Sequence, residues 1–142
     1  MLVTWPPGRS TAPATESRLL NWGTACLLAN GVGILGFGLI VAAFPQVFPD
    51  FLGGQNEGLL RATGVATIGL GILGIMVSLR AYRQHEKWAW FTLWYYPAFW
   101  TLHLIGGLPP GKDHIHQVVF LVLSVAGLLM PIRQFFPKTL QP

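Results

Sequence analysis

Four long apolar stretches alternate with short polar ones along this chain. The first, LLNWGTACLLANGVGILGFGLIVAAF (19–44), carries no charge. The second is EGLLRATGVATIGLGILGIMVSL (57–79), the third WAWFTLWYYPAFWTLHLIG (88–106), and the fourth covers roughly 114–130. A helix crossing a bilayer needs about 20 predominantly apolar residues, and the stretches match that length. Proline sets the boundaries, because it removes a backbone N–H and cannot continue the helical ladder. Pro45 and Pro49 close the first stretch, Pro131 ends the fourth, and Pro97 should kink the third in mid-span. Asn56 and Asp113 are suited to cap the second and fourth helices, with Glu57 in the electropositive first turn of the second. The link AYRQHEK is short enough to make spans two and three a helical hairpin. The pattern predicts an all-α integral membrane four-helix bundle over residues 18–136. Residues 1–17 are expected to be a flexible tail with Trp5 at headgroup level, and 137–142 a second tail.

Composition strengthens this expectation. Hydrophobic residues make up 52% and charged residues 10%, against about 25% charged in an average soluble domain. Mean hydropathy is +0.51. A soluble fold could not cover itself with so few charges, so a lipid bilayer is the expected partner of most of the surface. The net charge of +4 would suggest nucleic acid in a soluble protein, but the basic residues flank apolar runs and no nucleic-acid motif is present. Cys26 is the single cysteine, which excludes paired-thiol redox chemistry and cysteine-only metal sites. The first 17 residues contain no apolar core of a secretory signal.

Charge distribution sets an expected orientation. Arg9, Arg18, Arg80, Arg83, Lys87, Arg133 and Lys138 fall on one side of the spans, and Arg61 and Lys112 on the other. The positive-inside rule then places both termini in the cytoplasm (N-in/C-in); the membrane expected is a bacterial inner (plasma) membrane.

The first two spans look related to each other. NGVGILGFGLI (30–40) aligns with TGVATIGLGIL (63–73), matching Gly31 with Gly64, Gly36 with Gly69 and Gly38 with Gly71. Small residues let helices approach closely in lipid. Ala25, Ala29 and Gly33 form one small-residue face and Thr63, Thr67 and Gly71 another, so helix packing is expected at Gly33 and Gly71.

Polar chemistry concentrates in HLIGGLPPGKDHIHQVVF (103–120), which holds three of the four histidines. Antiparallel spans bring Glu57, Arg61, His103, Asp113, His114, His116 and Gln117 to a similar depth at the outer face. His103, Asp113 and His116, with His114, have the donor types of a divalent metal site. Asp113 and His116 share a helix face, whereas His114 and His116 point apart. Alternatively Asp113 caps its helix and the histidines are interfacial polar residues. His103 and His116 on adjacent spans are also the geometry of a haem ligand pair at the outer face. In a third reading Arg61 holds an anionic group and Trp94, Tyr95, Tyr96 and Trp100 line an apolar pocket for a quinone or other lipophile. Against that, Arg61 has Glu57 as an ion-pair partner four residues earlier, and Trp88 and Trp90 suit the interfacial belt. Catalytic residues are not indicated: Ser124 lacks a nucleophile-elbow setting, no phosphate loop is present, and no carboxylate lies deep in a span as proton-coupled export requires.

Four spans, a glycine-rich first pair and the R-x-x-G opening of span two (Arg61 to Gly64) resemble the small bacterial membrane proteins grouped as DoxX-like. The GLPPGKDHIHQ loop is similar to that of BphX-like proteins found with aromatic-degradation genes. The resemblance implies a fold, with no catalytic residue to carry over. The expected function is an integral membrane accessory or scaffold protein, a subunit or assembly partner of a larger membrane complex or a homo-oligomer. The alternative is an outward-facing metal-, haem- or quinone-binding protein associated with an oxidoreductase.

Overall fold

The computed structural model describes residues 14–47, 57–106 and 114–137, and every regular element among them is helical. The elements are α1 (Ala14–Ala43), a 3₁₀ turn (Pro45–Val47), α2 (Glu57–Val77) running on into a π-helical turn (Ser78–Tyr82), α3 (Lys87–Leu93), α4 (Tyr95–Gly106), α5 (Ile115–Leu129) and α6 (Ile132–Phe135). Two helical segments, Thr15–Ala43 and Glu57–Tyr82, are long and apolar enough to cross a membrane. Helix α1 starts inside the expected tail, and Glu16 in its first turn complements the positive end of the helix dipole. Asn56 and Asp113, the two expected caps, lie outside the described residues, as do Trp5 and Lys112.

The expected third span is two helices. A proline at position i has no N–H for the carbonyl of i−4, and its ring collides with that carbonyl. Four residues before Pro97 stands Leu93, where α3 ends; Trp94 makes the turn and α4 begins at Tyr95. Pro131 acts the same way on α5. It strands the carbonyl of Gly127, and the Tyr82 hydroxyl donates to that carbonyl instead. The indole N–H of Trp90 donates to the neighbouring Leu128 carbonyl at 3.0 Å. Two aromatic side chains from the α2–α3 hairpin thus repair the ladder that Pro131 interrupts, which an apolar environment requires. The same end is held by His85, in left-handed backbone (φ 60), bonded to Gln134 Oε1 at 2.9 Å. The Gln134 amide donates onward to the Glu16 carbonyl of α1.

Helix α1 is central, meeting α2 along its length on one side and α5 on another, while α4 packs on α5. The α1–α2 seam is built on backbone contact. A methyl group on Gly71 would come within 2.7 Å of the Leu35 backbone nitrogen, and one on Gly64 within 2.5 Å of the Ala42 nitrogen. From the other side, Gly38 faces Ile68 and the Gly64 carbonyl, and Gly31 faces Ile75 and the Gly71 carbonyl. These contacts obey the sequence repeat. Gly31 is equivalent to Gly64, and Ile75, which Gly31 faces, is equivalent to Ala42, which Gly64 faces. Gly38 and Gly71 face Ile68 and Leu35, again an equivalent pair. A local two-fold axis therefore relates α1 to α2, and the third matched pair, Gly36 and Gly69, obeys it too. Among the described residues, neither has an atom beyond its own stretch of helix within 4 Å of where a methyl would sit. The α1 face in this seam is Gly31, Leu35, Gly38 and Ala42, not the expected Ala25, Ala29 and Gly33. Ala25 and Ala29 are exposed, and Gly33 faces the ring of Phe120 on α5. The α2 face is Gly64, Ile68, Gly71 and Ile75; Thr63 is exposed. Both faces follow an i, i+4, i+7, i+11 spacing, which the aligned repeat contains and the small-residue count alone does not single out.

Candidate functional site

Five of the described hydroxyl and amide side chains in the helices bond to their own backbone. Thr24 donates to Leu20, Thr63 to Leu59, Thr67 to Thr63, Ser124 to Leu121, and the Asn30 amide to Cys26. Among the pairings that join two helices is the indole N–H of Trp100 donating to Asn30 Oδ1 at 2.8 Å, buried between α4 and α1. This bond fixes the Trp100 plane. Phe120 of α5 stacks on it with ring centroids 5.0 Å apart and planes 11° from parallel.

Around these two rings lies a cavity of about 150 Å³. Gly33, Ile34 and Phe37 of α1 form one wall, Thr67 of α2 another, Phe99, Trp100 and His103 of α4 a third, and His116, Gln117 and Phe120 of α5 the fourth. The helix register explains the grouping. On α4, Tyr96, Phe99, Trp100 and His103 follow i, i+3, i+4, i+7, and on α5 His116 and Phe120 are four apart, so each set lies on one face. Gly33 makes the room: any side chain there would meet the Phe120 ring, at 2.6 Å for a methyl group.

The cavity is almost wholly apolar, with two imidazoles beside the aromatic pair. The His103 ring centroid is 4.0 Å from that of Phe99 and 6.1 Å from that of Trp100. His116 stands edge-on to Trp100 at 6.5 Å. His103 Nδ1 lies 2.8 Å from the Phe99 carbonyl oxygen.

Of the residues singled out in the sequence, His103, His116, Gln117, Trp100 and Gly33 meet at this cavity. The other described ones do not join them. His114 precedes α5 and is not in the lining, and Asp113 lies outside the described residues. Among the described residues no group of three or more His, Cys, Asp or Glu is placed to hold a metal ion. Glu57 and Arg61 form an exposed ion pair with each other at 4.0 Å. Trp94 is in contact with Trp90, and Tyr95 and Tyr96 border a second cavity of about 190 Å³ with Leu70, Leu73, Gly74 and Val77. Gly71 belongs to the α1–α2 seam. Ile34, Phe37, Phe99 and Phe120 complete the cavity without having been singled out, and Thr67 was expected only in the α2 packing face. The i, i+4 spacings Phe99–His103 and His116–Phe120 are the sequence signal that marks two of them.

A cavity of this size matches an engineered 150 Å³ apolar cavity that stays dry and takes up benzene. The cavity accommodates one six-membered ring and is far too small for a porphyrin. Fold and site together define an all-helical protein with two membrane-length helices and an aromatic-lined cavity at a four-helix junction. No protein-family model, curated protein or solved structure matches the chain.

Proposed function

We propose that this chain is an integral membrane protein that binds a lipophile through a single aromatic or quinonoid ring in the cavity between α1, α2, α4 and α5. The cavity carries the reading: flat aromatic walls, one-ring volume, and His103, His116 and Gln117 as polar groups at an apolar site. The membrane part is supported by the two long apolar segments, only 33% buried over their most apolar windows, so most of their side chains face outward. Val65, Met76, Leu102, Ile105 and Ile115 are all more than 60% exposed, which suits lipid and not water. In this reading α3–α4 together and α5 complete a four-helix bundle, N-in/C-in by the Lys/Arg bias, in a bacterial inner membrane. A C-terminal reporter active only outside the cell would overturn the orientation.

Binding is tested by thermal unfolding of the detergent-purified protein with benzene, toluene or phenol. A ring of this size should bind with a dissociation constant on the order of 0.1–1 mM. Ligand at saturating concentration then raises the melting temperature of the wild type and not of Gly33→Leu, whose side chain fills the space. No shift with any ring removes the proposal.

A second reading, an accessory subunit of a larger membrane complex, is supported by Gly36 and Gly69. They form an equivalent pair of small residues with open space before them on the outer faces of α1 and α2, the kind of position at which another helix can approach closely in lipid. Co-purification of a stoichiometric membrane partner, lost in Gly36→Leu/Gly69→Leu, tests it.

A further inference from the structure

Three of the polar groups lining the cavity have their hydrogen-bond donors engaged inside the protein. Trp100 Nε1 donates to Asn30 Oδ1 at 2.8 Å, and turning it toward a ligand would strand that buried oxygen. Thr67 Oγ1 donates to the Thr63 carbonyl at 2.8 Å. His103 Nδ1 faces the Phe99 carbonyl at 2.8 Å, and since a carbonyl only accepts, Nδ1 carries the proton. In the tautomer with that proton on Nδ1, Nε2 is the ring's acceptor. Thr67 Oγ1 likewise keeps acceptor lone pairs. Trp100 is thus an occupied apolar plate, while Thr67 on α2 and His103 on α4, residues of two walls of one cavity, each retain an acceptor atom. His116 can present either a donor or an acceptor and does not discriminate.

We propose that the cavity selects a ring bearing a hydrogen-bond donor, a phenol or the reduced hydroquinone form of a quinone, with His103 Nε2 and Thr67 Oγ1 as the receiving atoms. Rings that only accept, such as quinones and aryl ethers, leave both acceptors facing an apolar surface or another lone pair. The assignment rests on the ring-binding reading above and fixes its chemical class. It concerns recognition only and involves no electron transfer. Phe99 beneath the His103 ring, centroids 4.0 Å apart, and the Phe99 carbonyl together hold the imidazole in the orientation that leaves Nε2 as its acceptor.

The test is equilibrium dialysis of the detergent-purified chain against phenol, anisole and toluene, each corrected for uptake by protein-free micelles. The three rings are close in shape, and they differ in carrying a donor, an acceptor alone, or neither. One hydrogen bond to a buried neutral acceptor is worth up to about tenfold in affinity. Phenol should therefore bind about tenfold more tightly than either analogue. The ratio of phenol to toluene affinity should fall to near one in the Thr67→Val/His103→Phe double variant, where neither acceptor remains. A prenylated hydroquinone binding more tightly than phenol identifies a membrane quinol as the source of the hydroxyl, and equal binding identifies a free phenol; both outcomes uphold the donor rule. Toluene and anisole binding as tightly as phenol in the wild type overturns it while the ring-binding reading survives. If none of the three rings binds, that reading itself has failed.

Discussion

The α1–α2 seam and the α4–α5 junction solve the packing of apolar helices in opposite ways. In the seam, Gly31, Gly38, Gly64 and Gly71 remove side chains altogether, backbones touch, and Leu35, Ile68 and Ile75 fill what remains. At the junction, Trp100 and Phe120 stand face to face, and Phe99 and His103 add further plates. Flat rings of this size cannot fill the volume they enclose, so a cavity of about 150 Å³ persists beside them. The same residue type serves both ends. Glycine at 64 and 71 brings two backbones together, and glycine at 33 clears space for a ring. What a glycine does in an apolar helix depends on which face it occupies, so substitutions separate the two regions.

The largest expected effect is at the seam. Gly71→Leu drives a side chain into the Leu35 backbone, which cannot yield without parting α1 from α2. Overpacking of this kind costs about 3 kcal/mol or more. Gly33→Leu meets only the far end of the Phe120 ring, which can swing, and should lower stability by no more than about 1 kcal/mol while abolishing ring binding. Unfolding by denaturing detergent, run on both variants, checks the contrast. Equal loss of stability would show that the cavity wall is as rigid as the seam.

Next in size is the repair at the far end of α5. Tyr82→Phe leaves the buried Gly127 carbonyl without the hydroxyl that replaces the missing N–H of Pro131. An orphaned buried acceptor costs about 1–3 kcal/mol. Pro131→Ala supplies an N–H of its own, so the Tyr82→Phe loss should shrink by at least half in that background. A double-mutant cycle with additive losses would refute the repair. Trp100→Phe is expected to cost about 1 kcal/mol through its bond to Asn30. It also removes the fixed plate of the cavity, so ring affinity should fall with it.

The helical architecture was legible in the sequence because proline and apolar length act locally. Pro97 and Pro131 each break the helix within four residues, and only the position of the break, at Leu93 and Trp94, escaped a reading that expected a kink. The glycine repeat was equally legible, since an alignment of two segments carries their packing register. The expected packing face was offset because Ala25, Ala29 and Gly33 share a face by spacing, yet nothing in the sequence says which partner that face meets. The site was half legible. Polar residues drew attention to His103, His116 and Gln117, while Phe99 and Phe120, which give the cavity its shape, are the commonest kind of residue in an apolar helix. Glu57 and Arg61 lie four apart on one exposed helix face and pair with each other, so an expected common depth was not enough to bring them to the cavity.

The smallest effect is the one that tests the symmetry of the seam. Gly36 and Gly69 are equivalent in the repeat and both face open space, whereas their repeat neighbours Gly31, Gly38, Gly64 and Gly71 are in backbone contact. Alanine in place of an interior helical glycine removes unfolded-state freedom and favours the helix by roughly 0.5–1 kcal/mol where nothing obstructs the methyl. Gly36→Ala and Gly69→Ala should each raise stability by that amount, and by equal amounts if the local two-fold is real. Gly64→Ala, whose methyl would overlap the Ala42 backbone, should move in the opposite direction. A loss at Gly36 or Gly69 in purified monomer would mean that its methyl meets a neighbour in the folded chain, and the symmetric seam would be wrong. A loss seen only within membranes, and absent in the purified monomer, would instead place a second helix against that face, which is the signature the accessory-subunit reading requires.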